Sequence, residues 1–220
     1  MAEIQPPCPS HRGPRRKRAT TLRVQATVIG TDPPLARLLE VSSELFLNDL
    51  HEVLGWCFGW VGRADHEFRC GTAFDAPDAE RYVDAVAVAR GDSATPESQV
   101  RLDEILRSPG DALFYLYDLT DTWPHRLVLE GFASRTAKTP RAYCADGIRD
   151  CPADVPGGIP RYEYWSRRAD PFDDNSFAAF DYVTPEDITT HTEDSEPTPF
   201  VIEEINYGLA RQFGYGRDLT

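Results

Sequence analysis

The stretch DALFYLYDLTDTWPHRLVLEGF, residues 111–132, decides how the rest of the chain is read. Residues 111–117 form a short apolar run, the pattern of a strand buried on both faces. From Trp123 the pattern alternates, with Trp123, His125, Leu127 and Leu129 sharing one side. Between the two runs lies a short connection rich in Asp and Thr, residue types that turn the backbone. Two strands around such a connection predict an antiparallel hairpin. Its chemistry is richer than a turn requires, since Asp118, Asp121, Trp123 and His125 gather within a few residues.

The same periodicities extend outward. In residues 20–30 Leu22, Val24, Ala26 and Val28 alternate with Arg23, Gln25 and Thr27, which predicts a half-buried strand. A second strand is expected at 35–41 after the turn GTDPP. The spacing then becomes helical, with Phe46, Leu50, Val53, Leu54 and Cys57 on one face and Ser42 or Ser43 as N-cap. Trp56 and Trp60 near the end of that helix are expected in the core. DHEFRCG, residues 65–71, reads as a strand with His66, Phe68 and Cys70 on one side. YVDAVAVA reads as a strand, RGDSATPESQ as a loop and VRLDEILRSPG as a short helix. Residues 133–160 read as a long loop, YEYWSRR as a helix, and 200–213 as an amphipathic C-terminal helix. These elements predict an α+β fold: a mainly antiparallel sheet packed against a few helices, one domain over residues 20–215 with long loops. Residues 1–19, rich in Pro and Arg, are expected to form a disordered basic tail.

Composition bounds the function. With 41% hydrophobic and 11% aromatic residues among 220, the chain can build a core. No apolar run approaches the roughly 20 residues that cross a bilayer, and no signal-peptide pattern opens the chain. Five cysteines, an odd number, point to reduced thiols and a cytoplasmic setting. Cys144 and Cys151 are spaced too loosely for a zinc site built from cysteines alone. The net charge is −13, unevenly spread: residues 1–20 carry five basic residues and one acid. An acidic body repels phosphate backbones, which disfavours nucleic acid on the folded part. The basic segment 12–18 is the one candidate contact for nucleic acid or an acidic partner. Phosphate-loop, dinucleotide, HExxH and GxSxG motifs are absent from the sequence.

His66 and His125 each occupy the apolar side of an alternating strand. A buried imidazole without partners costs about 1–3 kcal/mol. Asp118 and Asp121 are the carboxylates placed to supply them if the connection folds back. Two outcomes follow. In one, Asp118 caps the turn, Trp123 fills the core and His125 bonds to backbone, giving a polar network that pins the loop to the sheet. In the other, the residues converge as a ligand or metal site.

The order of motifs LNDLHEVLGWCFGW, HEF, YDLTDTWPH and RAYCADGIRDCPADVPGGIPRYEYW resembles the plasmid pRiA4b ORF-3-like family over about residues 21–165. The family pattern falls on His51, Trp60, His66, Phe68, Tyr117, Asp118, Asp121, Trp123, His125, Cys144, Gly147, Cys151, Pro152, Gly157, Gly158 and Tyr162. Thr120 stands where the family has Gly, so the hairpin turns without the residue that most easily adopts φ > 0. In CPADVPGG, Asp154 is the acid that remains of the family's acidic pair. The resemblance implies a compact α+β domain with no settled activity, found on plasmids, chromosomes and mobile elements. Some members carry a transposon-passenger or resolvase-like label, yet nothing in this sequence resembles a serine-recombinase catalytic domain.

The expected function is a binding or interaction module whose ligand-binding residues are His66, Asp118, Asp121, Trp123, His125 and Asp154. The alternative is a metal-assisted hydrolase, with His66, His125 and Asp121 holding a divalent metal and Asp118 or Asp154 as base. A third, minor reading is a nucleic-acid accessory protein acting through the basic arm.

Overall fold

A computed structural model describes residues 11–60, 64–152, 157–168 and 197–214. Eight strands form one sheet: β1 (Thr21–Val28), β2 (Ala36–Ser42), β3 (His66–Cys70), β4 (Glu80–Val83), β5 (Thr95–Pro96), β6 (Ala112–Tyr117), β7 (Trp123–Ala133) and β8 (Ala142–Ile148). The order across the sheet is β5-β4-β3-β6-β7-β1-β2-β8, and only β4 and β5 pair in parallel. The helices are α1 (Leu47–Phe58), α2 (Ala85–Ala89), α3 (Leu102–Ile105), α4 (Gly158–Arg168) and α5 (Ile202–Phe213). The fold is mixed α+β with a mostly antiparallel sheet, as the periodicities predict. No helix among the described residues is long and apolar enough to cross a membrane.

The hairpin that decided the reading is the centre of the sheet. Tyr117 stands opposite Trp123 and Tyr115 opposite His125. On the far side of β7, Val28 stands opposite His125 and Val24 opposite Leu129. Leu22, Val24, Ala26 and Val28 therefore share a face with Leu127 and Leu129, and all are buried. Against this face α1 lays Leu50, Val53, Leu54, Cys57 and Phe58. Each such side chain, fully buried, contributes about 1.5–3 kcal/mol. The outer edge of β8 is closed by α5. There Asn206 bonds the Cys144 amide and carbonyl, both at 2.8 Å, satisfying backbone groups that an edge strand leaves open.

Four expectations need correction. The first helix starts at Leu47 rather than behind Ser42 or Ser43. Phe46 bridges to Arg101 there, its N–H donates to the Asp49 carboxylate, and Ser43 instead accepts from the Thr20 amide. YVDAVAVA is not one strand: β4 ends at Val83, and the Asp84 carboxylate caps α2 by accepting from the Ala87 amide. The alternating Val and Ala look strand-like, but an Asp N-cap decides for a helix. The segment 133–160 is not a continuous loop, because β8 runs through it.

Finally, residues 11–19 are not a free arm. Arg12 and Arg15 pair with Glu104 at 2.6 and 3.2 Å, and the Arg16 amide donates to Asp103 at 3.1 Å. The Gly13 amide donates to the Glu104 carbonyl at 2.7 Å, and the Arg16 guanidinium lies 4.2 Å over Phe132. Buried carboxylates on α3 draw the basic segment onto the domain. Three of its guanidiniums are thus engaged by the chain itself. Residues 1–10 lie outside the described residues.

Candidate functional site

The connection 118–122 is a lock. Asp118 adopts φ 54, and its carboxylate accepts from the amides of Thr120 and Asp121 at 2.9 and 3.2 Å. The Thr122 amide closes the turn onto the Asp118 carbonyl at 2.7 Å. The positive φ values fall on Asp118 and Thr122 rather than Thr120, so the missing family glycine costs the turn nothing at that position. Asp121 turns its carboxylate toward α4 and accepts from the Gly157 amide at 2.9 Å. A Cβ on Gly158 would stand 2.6 Å from the Asp121 carbonyl, so the hairpin and α4 meet backbone to backbone.

Replacing Asp118 by Ala removes two acceptor contacts and leaves a Cβ residue in the left-handed region. Unfolding free energy should fall by about 2 kcal/mol. Asp118→Gly, which tolerates the backbone, should fall by less. Urea titration checks both; an unchanged Asp118→Ala midpoint would remove the lock.

Trp123 is buried against Trp60, with ring centroids 4.9 Å apart, and against Tyr162 at 6.0 Å. His125 is wholly buried, with Nδ1 bonded to the Trp123 carbonyl at 2.7 Å. Its ring meets Phe58 edge-on at 4.8 Å and lies 5.2 Å from Tyr115. Among the described residues, Nε2 makes no hydrogen bond of ordinary geometry. Burial pushes the His125 pKa down to about 4, with the backbone of Trp123 and Tyr115 acting the other way. His125 is therefore a neutral core residue at neutral pH.

His66 faces the same side of the sheet, but β6 lies between β3 and β7, so the two backbones are about 10 Å apart. His66 turns to a different partner, with Nε2 3.0 Å from the Glu97 carboxylate. His51 of α1 stacks on His66, ring centroids 3.6 Å apart and planes within 3°. His51 Nδ1 meets the Tyr115 hydroxyl at 2.8 Å. Burial, then repulsion from His66, pushes the His51 pKa down to about 3, and Asp84 opposes this weakly. The result is a carboxylate–imidazole pair with a second, neutral imidazole laid on it and a tyrosine bonded behind.

The structure thus uses Asp118 and Asp121 to fix the turn and its contact with Gly157, buries Trp123 and His125 in the adjoining core, and leaves His66 in a separate group with His51, Glu97 and Tyr115. The expected metal set of His66, His125 and Asp121 does not converge. Among the described residues, no three His, Cys, Asp or Glu side chains are grouped to hold a metal ion. Asp154 lies outside the described residues. Glu97 was hidden in a segment that reads as loop, and His51 carried no signal beyond the motif resemblance.

A second feature was also missed. Trp60 is buried as expected, but Trp56 is 43% exposed. Its indole lies on Gly208 of α5, where an added Cβ would come within 2.5 Å of the ring. Its Nε1 donates to Gln212 Oε1, and Gln212 Nε2 donates to Glu52 at 3.1 Å. Trp56 therefore has a fixed orientation while staying open to solvent. Tyr207, 67% exposed, stands beside it, and the two line a groove of about 410 Å³ with Glu204, Gly208, Arg211 and Gln212.

Three likenesses accompany this geometry. A curated relative, the uncharacterized protein y4hQ of Sinorhizobium fredii, is 31% identical over 157 residues, covering 70% of this chain and 75% of its own length. The crystal structure of a protein of unknown function, MM3350 from Methanosarcina mazei Go1, superposes with a TM-score of 0.63 at 18% identity. That match covers 84% of this chain and 97% of the other, and it is a likeness of fold. Residues 20–189 match the model of the plasmid pRiA4b ORF-3-like proteins, and the chain belongs to that family.

Proposed function

We propose that the domain is a binding module that takes a polypeptide partner on the Trp56–Tyr207 face. The observation that carries this reading is a tryptophan held in one orientation by Gly208 and Gln212 yet 43% exposed, with an exposed tyrosine and an arginine at its side. Trp, Tyr and Arg are the residues that dominate binding energy at interfaces. A pre-oriented side chain loses little freedom on binding. Charge selects the partner class. Glu52, Glu203 and Glu204 are exposed around the groove against one Arg211, on a chain of net charge −13. A segment with an apolar anchor and flanking Lys or Arg complements this surface.

The test uses a fluorescein-labelled peptide of alternating Leu and Lys, followed by anisotropy. Trp56→Ala should weaken binding by about thirtyfold, the equivalent of about 2 kcal/mol. Gly208→Ala, which displaces the ring while keeping it, should weaken binding too. Higher salt should lower the affinity of every variant. Equal affinity for wild type and Trp56→Ala would end this reading.

A second reading rests on the His66–Glu97 pair. A carboxylate that fixes one imidazole nitrogen readies the ring for proton transfer or for contact with a ligand. The same peptide separates the two sites, because His66→Ala should leave its affinity unchanged.

A further inference from the structure

The basic segment 11–18 lies folded on the domain, held at named points. Arg12 and Arg15 divide the two oxygens of the Glu104 carboxylate, at 2.6 and 3.2 Å, and the Arg15 guanidinium also donates to the Gln99 carbonyl at 3.2 Å. The Arg16 amide donates to Asp103 at 3.1 Å, and its guanidinium donates to the Arg107 carbonyl at 2.7 Å. At the far end the His11 amide donates to Glu80 at 3.0 Å. A Cβ on Gly13 would collide with the Arg107 guanidinium, so glycine is what lets the segment pass against that side chain.

The hold is incomplete. Asp103 and Glu104 are buried, yet Asp103 Oδ1 and Arg16 Nε, both shielded from solvent, make no hydrogen bond of ordinary geometry among the described residues. A buried polar group left unmet costs free energy that exposure to water returns. The Arg15 side chain is 47% exposed. Lys17 and Arg18 are exposed and, among the described residues, pair with no carboxylate. Two cations thus face solvent while three are engaged on α3. The acidic body repels phosphates, but the segment need not bind them against the body. Eight extended residues reach about 26 Å, well beyond the screening length of about 8 Å at physiological salt.

We propose that residues 11–18 are a displaceable strap that binds the phosphate backbone of a nucleic acid, and that Asp103 and Glu104 hold it in reserve. Lys17 and Arg18 make the first contact. Phosphates then take Arg12, Arg15 and Arg16 from the carboxylates and carbonyls of α3 and its flanks. Guanidinium and ammonium groups on phosphates carry no base sequence, so the contact is sequence-independent. Docking on α3 lowers the affinity by the fraction of time the strap is closed. This activity is separate from the Trp56–Tyr207 face, which lies on α1 and α5.

The test is a fluorescein-labelled oligothymidine added to the full-length chain and followed by anisotropy from low salt upward. The slope of log affinity against log salt should be about −3.5 for five cations, at roughly 0.7 per phosphate on a single strand. Contact through Lys17 and Arg18 alone would give about −1.4. Glu104→Gln, which keeps the shape and removes the charge, should bind about tenfold tighter than wild type. In the wild type, hydrogen exchange at the Gly13 and Arg16 amides, bonded to the Glu104 carbonyl and to Asp103, should speed up when the oligonucleotide is bound. No binding at low salt, a slope near −1.4, unchanged exchange at those amides, or equal affinity of Glu104→Gln and wild type would each overturn the strap.

Discussion

Lowering the pH from 7 to 4.5 should cost the domain about 2 kcal/mol of stability through His125 alone. The ordinary histidine value is 6.5, and burial pushes His125 down to about 4. The unfolded chain therefore binds a proton that the folded chain refuses. Stability from this group is complete above about pH 6.5 and is lost progressively as the pH falls through that value toward 4. His51, held at about 3, acts in the same direction and extends the loss to lower pH. Its half-open position beside Asp84 makes its share smaller than the same displacement would give in the core. Carboxylates also titrate in this range, so the diagnostic quantity is a difference. Phe at position 125 fills the aromatic site beside Phe58 and Tyr115 and has no proton to bind. The gap in urea-unfolding free energy between wild type and His125→Phe should change by about 2 kcal/mol, in favour of the variant, from pH 7 to pH 4.5. A gap that does not change with pH would mean that His125 is not a buried neutral base.

Arg37→Ala should destabilise the domain by about 3–5 kcal/mol, because it removes the donor to three carbonyls and one sulfur inside the core. The guanidinium joins the end of α1 through Cys57, β8 through Ile148, and Cys151, which bridges to Thr198. Arg37→Met restores most of the volume but none of the donors, so it should recover only the packing part of the loss. Equilibrium unfolding in urea at pH 7 measures both. A loss below about 1 kcal/mol for Arg37→Ala would show that water replaces the guanidinium at no cost, and that the site is not closed.

Where a segment's own residues settle its conformation, the sequence made the structure legible. Alternation in residues 20–30 and 123–132 placed Val24, Leu127, Trp123 and His125 on the inward face, because a strand's side-chain period is fixed at two. The role of Asp118 was also legible, since a carboxylate in a turn bonds its own following amides. What failed depended on packing between elements. The His51–His66 stack needs α1 to cross the end of β3, and no spacing within either segment encodes that crossing. Trp56 and Trp60 look equivalent as neighbours, yet a glycine on α5, far along the chain, decides which one is exposed. β8 was obscured by Gly147 and the surrounding Pro and Gly, although Gly147 is needed because Phe200 and Arg37 fill the space beside it. Arg37 left a signal that could have been used. It shares the inward phase of β2 with Leu39 and Val41, and a cation in that phase must be buried with partners.

The hairpin cluster is thus a lock in the centre of the sheet, and the proposed binding face lies on α1 and α5. The most direct measurement is the set of indole N–H signals in a ¹⁵N-labelled sample titrated with the Leu/Lys peptide. The account predicts that the Trp56 signal, assigned by its loss in Trp56→Phe, shifts or broadens, while those of Trp60 and Trp123 stay in place. Peptide that binds while moving Trp60 or Trp123 and leaving Trp56 unchanged would contradict it.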